Sequence, residues 1–140
     1  MKPTAREPAA AAEILIVEDD EATVQNLTEF LRQEGYSVAS ARDGREALVY
    51  LRQRPAGHSL PCLILLDLVM PVDGWRFREE QLKDPTLAAV PVVVMSGVYQ
   101  TQPAARSLNA AAYLPKPIDL HLLLAVIQRF CRPAPTPDPD

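Results

Sequence analysis

The sequence predicts an α/β protein: one three-layer, doubly wound domain with a parallel five-stranded sheet and helices on both faces. Five short apolar runs alternate with five segments of helical periodicity, which is typical of parallel sheets joined by right-handed crossovers. The 140 residues, 48% of them apolar, are enough for one continuous core. We expect a domain over 13–132, a disordered leader at 1–12 and an extended, proline-rich tail at 133–140.

The first βα unit begins with Ile-Leu-Ile-Val at 14–17, a β-branched apolar run suited to a strand covered on both faces. Three acids follow at 18–20, and the last of them, Asp20, is placed to cap a helix. Apolar residues recur at helical spacing in this segment, and Gly35 supplies the stop. They are Val24, Leu27 and Leu31.

A second, weaker strand is predicted over 36–41. Asp43 and Gly44 then lead into a helix with apolar residues on one face, and Pro-Ala-Gly at 55–57 ends it. The helix face comprises Ala47, Leu48 and Leu51.

The central strand is expected over 62–66, and it leads directly into the carboxylate of Asp67. Pro71 prevents the strand from continuing. A third helix is predicted over 75–83, with Trp75 as a packing residue at its start. It ends at Asp84 because a residue before proline disfavours the helical region.

A fourth strand over 92–95 ends at Ser96 and Gly97, where a large side chain would crowd the chain end. A short helix is predicted over 101–108, with Asn109 able to take the left-handed conformation after it.

The fifth strand, over 110–114, runs into Pro-Lys-Pro at 115–117. Asp119 then starts a last helix that continues to about residue 131. This helix carries a continuous apolar stripe, with Leu120 and Leu124 on its flank. The flanking leucines either widen the core contact or serve a homodimer or partner surface. The stripe consists of Leu122, Leu123, Val126, Ile127 and Phe130.

Composition excludes several function classes. A net charge of −4 without clustered Lys or Arg argues against nucleic-acid binding. No segment resembles a signal peptide or a bilayer span, so a soluble, cytoplasmic protein is expected. Cys62 and Cys131 lack metal-ligand spacing and are interpreted as reduced thiols rather than a disulfide.

Polar groups that end four of the five strands carry the functional prediction. Parallel strands present their carboxyl ends at one edge of a sheet, so residues far apart in sequence can converge there. Each group alone has an ordinary explanation as a helix cap, a turn residue or a surface charge. Together they predict a site, formed by Glu18, Asp19, Asp67, Ser96 and Lys116.

The chemistry of this set favours phosphoryl transfer. Three carboxylates in a partly dry pocket repel one another and call for a divalent cation, and hard oxygen ligands suit Mg²⁺. Asp67 could then attack a phosphoryl group and become an aspartyl phosphate. Lys116, on the side opposite the acidic pair, and the hydroxyl of Ser96 would stabilise the transferring oxygens.

Four motifs give the chain a resemblance to the receiver domain of two-component response regulators, of the stand-alone type. They are Ile-Leu-Ile-Val-Glu-Asp-Asp at 14–20, Leu-Leu-Asp-Leu-Val-Met-Pro at 65–71, Val-Val-Val-Met-Ser-Gly at 92–97 and Tyr-Leu-Pro-Lys-Pro at 113–117. The resemblance implies a flavodoxin-like fold with strand order 2-1-3-4-5. It also implies a cis bond between Lys116 and Pro117.

The resemblance assigns a role to each site residue. Glu18 and Asp19 would be the acidic metal pair, and the backbone carbonyl of Val69 would be a further metal ligand. Asp67 would be the phosphoacceptor. The remaining roles would be a switch hydroxyl, a phosphate-binding lysine and an aromatic that changes rotamer on activation, held by Ser96, Lys116 and Tyr113.

The implied function is that of a phosphoprotein in a phosphorelay, not a turnover enzyme, although it would take part in its own Mg²⁺-dependent phosphorylation and dephosphorylation. The donor would be a histidine kinase or a histidine phosphotransfer protein. Phosphorylation would alter the surface of the fourth helix, fifth strand and fifth helix, and so control an unknown downstream protein. The alternatives are a receiver-like interaction module that works without phosphorylation and, less well supported, a phosphohydrolase or flavin-binding enzyme.

Overall fold

A computed structural model describes residues 12–54, 59–67, 71–97 and 108–132, with side chains at 71–74 excluded. Residues 1–11 of the predicted leader, the predicted tail at 133–140, the helix terminator at 55–57, the carbonyl of Val69 and residues 101–107 of the helix predicted over 101–108 lie outside these ranges. The described helices include none long and apolar enough to span a membrane.

Within the described ranges, five strands form one parallel sheet in the order β2-β1-β3-β4-β5. This confirms the predicted fold class and strand order, with the phosphoacceptor candidate on the central strand. The strands are β1 (Glu13–Val17), β2 (Ser37–Ala41), β3 (Leu63–Asp67), β4 (Val92–Ser96) and β5 (Ala112–Pro115).

The helices begin at the caps that the sequence supplies. The side chains of Asp20, Asp43 and Asp119 each accept a backbone N–H in the first turn of the helix that follows. Gly35 has φ 96° and Asn109 has φ 55°, the left-handed values that a chain reversal requires. The helices are α1 (Glu21–Gln33), α2 (Gly44–Arg52), α3 (Pro71–Lys83), α4 (Pro85–Ala88) and α5 (Leu120–Phe130).

Alternate residues of the strands supply two separate cores. On one face of the sheet, Leu15, Ile64 and Val94 are buried in one cluster with residues of α2 and α3. On the other face, Ile16, Leu65 and their neighbours are buried with residues of α1 and α5. Because β1, β3 and β4 are covered on both faces, they consist of the continuous apolar runs seen in the sequence.

Helix α3 differs from its prediction at both ends. It begins at Pro71, four residues before the predicted start, because proline is well suited to the first helical turn. The helix ends before Asp84 as expected, but Asp84 then caps the additional short helix α4. Trp75 is 42% exposed, so its interpretation as a packing residue is wrong.

The apolar stripe of α5 divides between core and surface. Leu123, Val126 and Ile127 are buried, whereas Leu122 and Phe130 are exposed, so only part of the apolar stripe faces the core. Five apolar residues span a wider arc of the helix than a single sheet contact can cover.

The two cysteines form a disulfide, so the prediction of reduced thiols is wrong. Cys62 immediately precedes β3 and Cys131 caps the carboxyl end of α5, with their Cα atoms 5.6 Å apart. Helix α5 runs back along the sheet from the end where β5 finishes to the end where β3 begins. The 69-residue separation between the cysteines therefore concealed a contact that only the fold creates.

Candidate functional site

Asp67 is the last residue of the central strand. It pairs with Met95 of β4, while the preceding Leu66 pairs with Val17 of β1, so its side chain lies where three strands end. It is only 1% exposed. The apolar run that leads to it sets this position, since β3 is buried along its whole length.

Glu18 reaches the same place through an extension of β1. Its peptide N–H donates to the carbonyl of Ala41 at 3.0 Å, continuing the pairing of β1 with β2 for one more residue. The peptide N–H of Asp20 donates to Glu18 Oε2 at 3.1 Å. Glu18 is consequently buried at 2% exposure, whereas Asp19 is exposed.

The three acids form a cluster suited to a metal ion. One carboxylate oxygen from each of Glu18, Asp19 and Asp67 lies within 4.8 Å of the others. Buried carboxylates at this spacing repel one another unless a proton or a cation intervenes. The set contains oxygen ligands alone, which fits a hard cation such as Mg²⁺.

Lys116 enters the site from β5. Its peptide N–H donates to the carbonyl of Ser96 at 2.8 Å, and the bond to Pro117 is cis, as expected. The ammonium lies 3.0 Å from Glu18 Oε1 and 3.2 Å from Asp67 Oδ1. The sequence predicted Lys116 opposite the acidic pair, but the ammonium instead bridges one acid of that pair to Asp67.

The proximity of these charges changes their affinities for protons. Burial, together with the hydrogen bond to Asp67, raises the pKa of Glu18 from 4.5 to about 7, despite the opposing effect of Lys116. Burial alone would lower the pKa of Lys116. The hydrogen bond to Glu18 and the charge of Asp67 outweigh burial, and the pKa of Lys116 is raised.

The remaining predicted residues lie at the end of β4 or on the adjacent strand β5. Ser96 is buried at the end of β4. A Cβ added to Gly97 would meet no atom within 4 Å, so there is space for a methyl group at this position, whereas the prediction concerned a large side chain. Tyr113 of β5 is 40% exposed.

Sequence reasoning did not identify the buried pair Arg78 and Gln81 on α3. The signal was present, since these polar residues lie at helical spacing on the face that also buries Phe77. Polar side chains buried in this way need hydrogen-bond partners inside the protein.

Comparisons with known proteins agree with this geometry. A family model described as "Response regulator receiver domain" matches residues 14–128. "Response regulator PleD" of Caulobacter vibrioides (strain NA1000 / CB15N) is 36% identical over 125 residues, covering 87% of this chain and 26% of PleD. The "Probable methanogenesis regulatory protein FilR2" of Methanothrix harundinacea is 33% identical, covering 84% of this chain and 79% of FilR2.

Solved structures show the same resemblance. The signal receiver domain of a histidine kinase from Syntrophus aciditrophicus superposes with a TM-score of 0.73 at 31% identity, covering 86% of this chain and 89% of that one. The phosphorylated cyanobacterial phytochrome response regulator RcpA gives a TM-score of 0.67 at 35% identity, covering 86% and 91%. The chain thus spans about a quarter of PleD but most of each of these two structures.

Proposed function

The chain belongs to the family of response regulator receiver domains, and from this premise we propose that it accepts a phosphoryl group on Asp67. One observation carries the proposal. A buried carboxylate at the end of the central strand lies beside two further acids and in contact with an ammonium group. Receiver domains are phosphoacceptors rather than turnover enzymes, and this chain is proposed to act in the same way.

Three side chains are proposed to hold Mg²⁺: Glu18, Asp19 and Asp67. When bound, the ion would supply positive charge between these acids and the oxygens of an incoming phosphoryl group. Response regulator Rcp1, a similar solved structure at 31% identity, is a Mn²⁺-bound form. This supports a divalent ion at the acidic cluster.

In the proposed transfer, an oxygen of Asp67 attacks the phosphorus of a phosphohistidine in line with the leaving nitrogen. A P–O bond forms, the P–N bond breaks, and the electron pair returns to the imidazole, which takes a proton from water. Lys116 neutralises charge on the transferring oxygens, and the Ser96 hydroxyl donates a hydrogen bond to one of them. Burial of Asp67 strengthens these interactions because water does not screen them.

Phosphorylation would convert local charge into a change of surface. Lys116 contacts Glu18 and Asp67 in the observed arrangement, and a phosphoryl group would draw the ammonium and Ser96 toward itself. Tyr113, exposed here, would then move inward into the space that Ser96 leaves. The shift would bias a pre-existing equilibrium and alter how β5 and α5 present themselves to a downstream protein.

A groove beside the site offers a place for the donor. About 320 Å³ in volume, it is lined by the amino-terminal part of α1 and by the chain from Lys116 to Leu120. A histidine kinase or histidine phosphotransfer protein that occupied this groove would bring its phosphohistidine close to Lys116. The groove contains Thr23, Asn26 and Leu27 from α1.

Labelling with radioactive acetyl phosphate tests the proposal. The protein should take up label when Mg²⁺ is present, lose it in EDTA, and release it with hydroxylamine, which cleaves acyl phosphates. Asp67→Asn should abolish labelling because an amide cannot form the anhydride. Asp119→Asn is the matched control, since it makes the same chemical change at an exposed helix cap.

Undiminished label on the Asp67→Asn protein, whether or not hydroxylamine releases it, would overturn the assignment of Asp67. Absence of any label on the parent, with either acetyl phosphate or a phosphorylated histidine donor, would favour the module that acts without phosphorylation.

A further inference from the structure

Two polar side chains occupy core-facing positions on α3, where apolar residues are usual. Arg78 is 6% exposed and Gln81 is fully buried, beside Phe77. Few arginines are buried to this extent, because the charge loses its hydration. Burial lowers the pKa of Arg78 from its usual value.

Backbone carbonyl groups and one amide compensate the charge of Arg78. Its Nε donates to the carbonyl of Leu108 at 2.8 Å, and Nη2 donates to that of Asn109 at 3.0 Å. Nη1 donates to Gln81 Oε1 at 2.8 Å. Among residues 12–54, 59–67, 71–97 and 108–132, no carboxylate forms an ion pair with Arg78.

Gln81 extends the network to the start of β4. Its amide donates to the carbonyls of Leu87 at 2.9 Å and Val90 at 3.0 Å. We use the name "α3 latch" for this network, which consists of Arg78, Gln81 and the four backbone carbonyl groups that they bind. It connects α3 with two places: the chain that precedes β4, and the turn at Leu108 and Asn109.

The latched turn is close in sequence to the proposed switch. Asn109 takes a left-handed conformation, and β5 begins three residues later at Ala112. That strand carries Tyr113 and leads directly to Lys116. Helix α3 begins at Pro71, four residues after Asp67, so the latch joins the element that follows the phosphoacceptor to the turn that precedes the switch strand.

We propose that Arg78 is a positioning residue whose buried hydrogen bonds hold the Leu108–Asn109 turn against α3 and thereby disfavour the activated arrangement. The inference rests on the proposed function, since it requires a phosphoryl-dependent switch. In the observed arrangement the latch is closed and Tyr113 is exposed. Any movement of the turn that accompanied the inward movement of Tyr113 would leave a buried guanidinium short of acceptors.

The direction of the effect follows from this geometry. Replacing Arg78 with a side chain of similar length but no donors removes the penalty for moving the turn, so activation becomes easier. Beryllofluoride, a phosphoryl mimic, should then bind more tightly in the presence of Mg²⁺. The gain should be roughly tenfold if activation breaks one charge-assisted hydrogen bond.

The test compares Arg78→Met with Arg76→Met, which removes an exposed arginine two residues earlier on the same helix. Beryllofluoride affinity with excess Mg²⁺ is measured by NMR titration, and amide hydrogen exchange is followed over 108–111. Arg78→Met should bind the mimic about tenfold more tightly and exchange faster at the turn. Arg76→Met should match the parent in both measurements.

Arg78→Lys keeps the protein testable if Arg78→Met does not unfold cooperatively in urea. Lysine retains the charge but cannot reach both carbonyls with a rigid fork, so a smaller gain in the same direction is expected. If a folded variant exchanges faster at the turn but binds the mimic no more tightly than the parent, the inference is overturned. The proposed function is not affected by that outcome. A parent protein that neither binds the mimic nor labels at Asp67 overturns the proposed function and this inference with it.

Discussion

Glu18→Gln should stabilise the metal-free protein at pH 8 while weakening its binding of Mg²⁺. The pKa of Glu18 is raised from 4.5 to about 7 by burial and by its hydrogen bond to Asp67. Between these values the folded state binds more protons than the unfolded state, so the contribution of Glu18 to stability falls as the pH rises from about 4.5 to 7.

The size of the effect follows from the same two values. A carboxyl group whose pKa rises from 4.5 to about 7 on folding destabilises the native state above pH 7 by up to about 3 kcal/mol. Glutamine has no proton to lose and nearly the same shape. The variant should therefore match the parent near pH 5 and exceed its free energy of unfolding near pH 8.

Urea unfolding in EDTA at both pH values measures this difference. Titrating groups whose pKa does not depend on Glu18 cancel when the variant is subtracted from the parent; Asp20, whose pKa is lowered by its bonds to Thr23, is one of them. Glu29→Gln, an exposed position on α1, is the control and should show no such pH dependence. A Glu18→Gln protein less stable than the parent at pH 8 would refute the proposed balance of charges.

Three further predictions concern groups around the site and the disulfide. Lys116→Met should lower the free energy of unfolding by about 2 kcal/mol at pH 8, because two buried carboxylates lose their shared ammonium. The loss should be smaller at pH 5, where Glu18 carries a proton. Equal losses at both pH values in urea unfolding would contradict the bridging role. Replacing both cysteines by serine should destabilise the protein by up to about 4 kcal/mol, as expected for opening a 69-residue loop. A thiol titration of the unfolded parent that finds two free thiols would contradict the disulfide. Gly97→Ala should change the free energy of unfolding by no more than about 0.5 kcal/mol, because a Cβ there meets open space. A larger loss in thermal unfolding would show that the position is more restricted.

Much of the fold could be predicted because single residues determine local structure. Strands that are covered on both faces of the sheet require continuous apolar runs. The starts of three helices are marked by their caps, Asp20, Asp43 and Asp119. The convergence of Glu18, Asp67 and Lys116 also followed from sequence, since parallel strands end at a common edge.

The features that sequence missed depend on the path of the chain in space. The disulfide joins the start of β3 to the end of α5, and no local pattern announces it. The sequence shows Arg78 and Gln81 as polar positions on α3 but not what they bind, because besides each other they contact backbone carbonyls, which carry no sequence signature.

Chemical trapping of the phosphorylated protein tests the central claim most directly. Borohydride reduces an acyl phosphate to an alcohol, so an aspartyl phosphate becomes homoserine, which peptide mass spectrometry locates in the chain. After treatment with acetyl phosphate and Mg²⁺, we expect homoserine at Asp67 alone, and none in protein treated in EDTA. Homoserine at another acid, such as Asp19, or none at all in fully labelled protein, would contradict Asp67 as the phosphoacceptor.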